Sequence, residues 1–138
     1  MSEEMPLIEK ALLLKKTRIF SQLDLDLLVN IADKAEFQSF KENHAIFSFQ
    51  QDATRLFIII DGRVKLTFPD HKKELTLKCA DHFGDLSLFS ETKRSYQALC
   101  LEDVQVLTLT KPDFLRIVSE FASVAFSLLT EYAQTIEG

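Results

Sequence analysis

The chain is poor in the residues that punctuate or staple a fold. Its 138 residues include no tryptophan, three glycines, three prolines and two cysteines. Cys79 and Cys100 stand apart, without metal or redox spacing, so two small buried thiols are expected rather than a disulfide. His44, His71 and His82 fall in separate loops or strand ends. None has the short-range spacing of a metal site, so no metal is expected and His82 reads as a loop histidine. No serine sits in a nucleophile elbow, and no cysteine neighbours a histidine in a catalytic arrangement. That leaves no catalytic residue to name, and the chain does not read as an enzyme. Apolar runs fall well short of a membrane span, and no basic-then-apolar leader opens the chain. No membrane partner is expected, and a cytoplasmic location is the default. A net positive charge is also lacking. The formal net charge of −5 argues against nucleic acid as a partner, since a phosphate backbone needs a basic face.

What is present suits one domain with a real core: 46% of residues are hydrophobic, 27% are charged, and twelve are phenylalanine. Across residues 7–34, Leu12, Ile19, Leu23, Leu27, Leu28 and Ile31 recur at helical intervals, with Asp24 as cap of a second helix. From residue 36 to 110 the pattern changes to short apolar or alternating runs with turns between them, which predicts strands. Asp61-Gly62 predicts a tight hairpin with positive φ at both positions, and a polar loop over 69–73 leads to a strand at 74–78. Thr110, Pro112 and Asp113 mark a helix start. A last helix over 122–136 aligns Val124, Leu128 and Ile136, with Tyr132 between the latter two and Leu129 widening the stripe. The expected organisation is a single α+β domain, mainly β, with helices over 7–35, strands over 36–110 and C-terminal helices over 111–137.

Chemistry concentrates in Phe83-Gly84-Asp85-Leu86-Ser87-Leu88-Phe89, followed by Arg94-Ser95. Gly84 lets backbone approach a ligand and accepts positive φ. The run after it can form one helical turn whose first N–H groups favour an anion. Arg94 offers a planar fork for paired phosphate oxygens, and Ser95 adds a hydroxyl. Asp85 would repel phosphate, so it makes sense as an acceptor from a sugar hydroxyl.

This stretch resembles the phosphate-binding cassette of the cyclic-nucleotide-binding domain family, the type found in catabolite activator proteins and kinase regulatory subunits. The family reads approximately FGELALL, a loop, then PR-[AST]-A; here FGDLSLFSETKRSYQA aligns without a gap. The resemblance extends to FKENHAIF at 40–47, LFIIIDGRVK at 56–65, and VQVLTL at 104–109 followed by Phe114-Leu115. It implies an eight-stranded antiparallel jelly-roll barrel with an N-terminal helical bundle and C-terminal helices. It also implies a regulatory module for cAMP or a related cyclic nucleotide, needing no other cofactor. Phe83, Gly84, Asp85, Leu86, Ser87, Arg94 and Ser95 would then hold the ligand. The purine would lie in the barrel, the ribose against Asp85 and Gly84, and the phosphate against Arg94, Ser95 and the N–H groups near Leu86 and Ser87. Binding would redock the C-terminal helix, which can signal to an effector protein or pair two copies as a homodimer. No effector domain is expected within these residues.

The chain departs from the family pattern at several positions. Asn43, Gln50 and Ala80 stand where the family has turn glycines; Gln50 and Ala80 would be strained there by roughly 1–2 kcal/mol each. Asp85 is one methylene shorter than the family's glutamate. Either the ribose contact stretches out of range, or an inward shift of the cassette or a bridging water restores it. Lys93 replaces a proline and reads as a solvated charge at the rim. Of Tyr96 and Gln97, strand alternation turns only one towards a base. A degenerate domain serving as an interaction or dimerisation scaffold, or one that binds another small anion, are the alternative functions.

Overall fold

Two ten-residue helices, α1 (Leu7–Lys16) and α2 (Leu25–Lys34), precede the strands. The structure, a computed structural model, describes residues 5–70, 72–90 and 93–137, with side chains to residue 134. The expected helical stretch is broken by a buried threonine. Thr17 Oγ1 donates to the Leu14 carbonyl at 2.7 Å and accepts from Phe20 N–H at 3.2 Å, which ends α1 and turns the chain. Asp24 occupies the N-cap position of α2, but its side chain makes no capping bond; its carbonyl accepts from Leu27 and Leu28 instead.

Strands β1 (Glu36–Phe40), β2 (Ala45–Phe47), β3 (Arg55–Asp61), β4 (Val64–Phe68), β5 (Lys73–Leu77) and β6 (His82–Phe83) follow. After a one-turn helix, α3 (Leu86–Ser90), come β7 (Gln97–Cys100) and β8 (Val104–Thr110), then α4 (Lys111–Glu120) and α5 (Ala122–Glu137). The strands form two antiparallel four-stranded sheets, ordered β1-β8-β3-β6 and β2-β7-β4-β5, which is the eight-stranded α+β architecture expected. At the start of α4, Thr110 Oγ1 accepts from Asp113 N–H at 3.3 Å, as the local pattern predicts.

The expected hairpin at Asp61-Gly62 is absent. β3 and β4 lie in different sheets, so the chain turns a corner there. Only Gly62 has positive φ, at 94°, while Asp61 remains paired with Gln105 in the strand. Glycine is required at this corner for space as well, since a Cβ would stand 2.5 Å from the Asp103 carbonyl. The turns expected where the family has glycine are kept: Asn43, Gln50 and Ala80 all adopt left-handed backbone, at φ 69°, 75° and 73°, a conformation that disfavours Gln and Ala more than Asn.

Strand alternation divides the interior in two. Leu56 and Ile58 face the helices, packing with Leu88, Leu107, Leu109 and Phe114. Phe57 and Ile59 face into the roll with Phe47, Phe83, Tyr96 and Val106. Val124 and Leu128 of α5 are buried in the helix-side core. The apolar stripe of the last helix, a face that could equally have met a partner, therefore docks largely on its own domain. Ile136 lies outside the described side chains. Phe126 and Leu129 point outward, 71% and 63% exposed. The thiol expectation is half corrected: Cys100 is buried, with burial pushing its pKa up to about 11, but Cys79 is exposed. Among the described residues no helix is long and apolar enough to cross a membrane.

Candidate functional site

The site begins where β6 ends. Phe83 points into the roll and stacks on Phe57, centroids 5.2 Å apart. Gly84 then turns with φ 88°; a Cβ there would meet the Arg55 carbonyl and Arg94 Nη1, each at 3.1 Å. Asp85 is 7% exposed, and its carbonyl accepts from Leu88 N–H to start α3. Within α3, Ser87 and Leu88 are buried while Leu86 and Phe89 lie outward. Phe89 packs against Phe114 and meets Tyr132 of α5 edge-on.

Arg94 is the unusual member, a guanidinium on a residue only 2% exposed. Nη1 donates to the Gly84 carbonyl and Nη2 to the Arg55 carbonyl, both at 2.7 Å. The fork lies 4.1 Å above the Phe47 ring, a cation–π contact. Nε is buried without a hydrogen-bond partner. Burial pulls the Arg94 pKa below its ordinary value, opposed by Tyr96 and the Asp85 charge. A buried cation held by dipoles on two sides leaves an electrostatic deficit that an anion would fill. Ser95 lies exposed, away from the buried fork. Lys93 is the exposed rim charge expected, paired with Asp52 at 2.7 Å.

Tyr96 decides what space remains. Its side chain lies inside the roll, 4.7 Å from Phe68 and 5.4 Å from Phe47 by ring centroids. Its hydroxyl oxygen accepts the Gly84 N–H at 2.7 Å, and burial raises its pKa well above the usual phenol value. The small residue of the resembled pattern is thus replaced by a ring that fills the adjoining interior and occupies a cassette donor. The region expected to take a purine is packed with aromatic side chains, while Gln97 is half-buried on the alternate side.

Asp85 is engaged from the opposite direction. Tyr132 donates its hydroxyl to Asp85 Oδ2 at 2.5 Å, which pins α5 over the cassette. Burial, then the Asp85 charge, push the Tyr132 pKa far upward. Next to this contact, His82 Nε2 lies 3.0 Å from Glu131 Oε1 and 3.8 Å from Asp85 Oδ2. Burial alone would lower the His82 pKa, but the Glu131 hydrogen bond and the charges of Asp85, Glu131 and Asp81 outweigh it and raise it. His82 is therefore a strand residue with shielded partners, not the loop histidine expected. Tyr132 and Glu131 went unassigned because their partners come together only when α5 docks. Tyr96 did carry a signal, a bulky ring where the pattern has a small residue.

The structure brings Phe83, Gly84, Asp85, Ser87 and Arg94 into one buried turn, and leaves Leu86 and Ser95 at its exposed edge.

Comparison with known proteins bears on the family and the fold. The family profile described as Cyclic nucleotide-binding domain matches residues 37–121, well over half the chain. A CRP-like cAMP-activated global transcriptional regulator of Mycobacterium tuberculosis is 23% identical over 128 residues, covering 90% of this chain and 57% of the relative. The chain thus spans little more than half of that relative's length. The Thermus thermophilus catabolite activator protein superposes with a TM-score of 0.77 at 22% identity, over 88% of this chain and 59% of that one. PKAR CBD2 bound to Sp-2Cl-cAMPS gives 0.79 at 20% identity, over 96% and 93%. At these identities the structural likeness establishes the jelly-roll fold.

Proposed function

We propose, for a chain that belongs to the cyclic nucleotide-binding domain family, a regulatory module that takes up a cyclic nucleotide, cAMP first, at the cassette. The observation that carries this reading is Arg94: a buried guanidinium with an unpartnered Nε, facing main-chain carbonyls. A ring phosphate would replace those carbonyls with a formal counter-charge, a stronger pairing. The preference for cAMP draws on the cAMP-activated relative and the Sp-2Cl-cAMPS complex. The described arrangement is then the closed, self-satisfied state. Uptake requires Tyr96 to release the Gly84 N–H and Tyr132 to release Asp85, so ligand and α5 compete for the cassette. The ligand moves α5 only by its differential affinity for the two arrangements. Signalling is non-enzymatic, cytoplasmic, and leaves through α5, whose exposed Phe126 and Leu129 fit a second copy of this chain.

One observation favours a second reading, a scaffold of the same fold that no longer admits nucleotide. Tyr96 both fills the interior beside the cassette and occupies its Gly84 donor. Calorimetric titration of cAMP and cGMP into the parent, Arg94→Ala and Tyr96→Ala separates the two. Binding by the parent that is lost in Arg94→Ala supports the sensor. Binding only by Tyr96→Ala identifies a plugged site, and no binding by any of the three at millimolar nucleotide leaves the scaffold.

A further inference from the structure

We propose that His82, Asp85 and Glu131 form a divalent-metal site that ties α5 to the cassette. The three residues come from β6, the turn before α3, and α5, and one ligand atom from each lies within 4.8 Å of the others. His82 Nε2 to Glu131 Oε1 is 3.0 Å, and His82 Nε2 to Asp85 Oδ2 is 3.8 Å. Ligand bonds of about 2.0–2.2 Å separate donor atoms by roughly 3–3.5 Å, so His82 and Glu131 already stand at ligand spacing, and Asp85 must draw in towards them to close on an ion.

The donors are shielded, with side-chain exposures of 5%, 10% and 28% for His82, Asp85 and Glu131. That separates them from a solvated acidic patch. One imidazole with two carboxylates suits Zn²⁺, Mn²⁺, Co²⁺ or Ni²⁺ better than Ca²⁺ or Mg²⁺, which prefer oxygen alone. Two carboxylates carry the charge that a divalent ion cancels, and the ion would take the position of the His82 proton that now lies towards Glu131. Arg18 acts on Glu131 in the opposite sense, and Asp81 adds negative potential at His82. Tyr132 O–H on Asp85 Oδ2 supplies the supporting hydrogen bond that orients a ligating carboxylate.

An approach route is also present. His82 and Glu131 line a cavity of about 540 Å³ between the turn after α1 (Thr17, Arg18, Ser21) and the segment from Leu77 to Asp81. A hydrated ion can enter there, and its remaining coordination positions would be filled by water. Because Asp85 is shared, bound metal would hold α5 closed and weaken any ligand that needs Asp85, and the reverse effect is equal by linkage.

The test uses the full chain carrying Cys79→Ser, which removes the exposed thiol as a competing ligand. Zn²⁺, Mn²⁺ and Ni²⁺ are each titrated by calorimetry without nucleotide, with melting followed in parallel. One equivalent is expected to bind and raise the melting temperature. Glu131→Gln and His82→Gln should each weaken binding by at least about tenfold, while His44→Gln retains it. Circular dichroism checks folding; if His82→Gln does not fold, Glu131→Gln decides alone. No binding at 1 mM metal, or equal affinity in parent and Glu131→Gln, overturns the site.

Discussion

Tyr132 on α5 and Asp85 in the cassette share a hydrogen bond of 2.5 Å, with the phenol donating to Oδ2. The carboxylate that the family resemblance assigns to a ribose is therefore already occupied by the chain's own last helix. Removing only that hydroxyl, in Tyr132→Phe, keeps the ring against Phe89 and frees Asp85. A hydrogen bond to a charged group contributes about 1.5–3 kcal/mol, so cAMP is expected to bind at least about tenfold more tightly. A 2′-deoxy cyclic nucleotide should lose that gain. Where the parent is too weak to measure, the same comparison is made in Tyr96→Ala. Equal affinity with and without the hydroxyl would show that α5 does not compete for Asp85.

Arg94 fastens two separate segments as well as offering a charge, because its fork reaches the carbonyls of Gly84 and Arg55. Arg94→Ala leaves one buried and one part-buried acceptor without its donor, and a loss of about 2–4 kcal/mol is expected in denaturant unfolding without ligand. Arg94→Lys should recover part of it, since a compact ammonium reproduces the charge but not the fork. A midpoint unchanged in Arg94→Ala would mean that Arg94 is not structural in the unliganded fold.

Ala80 holds φ 73° with its N–H donated to the Ile59 carbonyl at 2.8 Å. Glycine there relieves roughly 1–2 kcal/mol of left-handed strain and costs about 0.4–1 kcal/mol in unfolded-state entropy. Ala80→Gly should therefore stabilise by about 0.5–1 kcal/mol. Gly62→Ala should do the reverse by about 2–4 kcal/mol, through overpacking and strain, since its Cβ would stand 2.5 Å from the Asp103 carbonyl. Thermal or urea unfolding of the two variants checks both signs at once.

On the outer face of α5, Leu129 is 63% exposed beside Phe126 at 71%. If a second copy of the chain covers this face, sedimentation of the parent should show a weak monomer–dimer equilibrium. Leu129→Asp should be monomeric with an unchanged fold, because the side chain takes no part in the core. Leu128→Asp is unsuitable, as Leu128 is buried in its own domain. A parent that remains monomeric at high concentration assigns the face to solvent or to a different partner.

Local signals determined much of this protein. Helical periodicity, turn residues and the Thr110 cap located the main elements, because each depends on neighbours a few residues apart. The cassette was legible for a similar reason: Gly84 and Arg94 lie on one short stretch, and the left-handed turns at Asn43, Gln50 and Ala80 were placed by alignment to a pattern. Tertiary structure alone decided that Gly62 turns between sheets rather than closing a hairpin, since strand partnership is a long-range choice. It also directed Val124 and Leu128 inward and left Phe126 and Leu129 outside. Above all it filled the site. Tyr96 reached Gly84, Tyr132 reached Asp85, and Glu131 met His82 only because two sheets and a final helix close around one turn. Sequence spacing records which groups are available, but contacts between distant segments are set by packing, which fixes side-chain direction only once the whole core is in place.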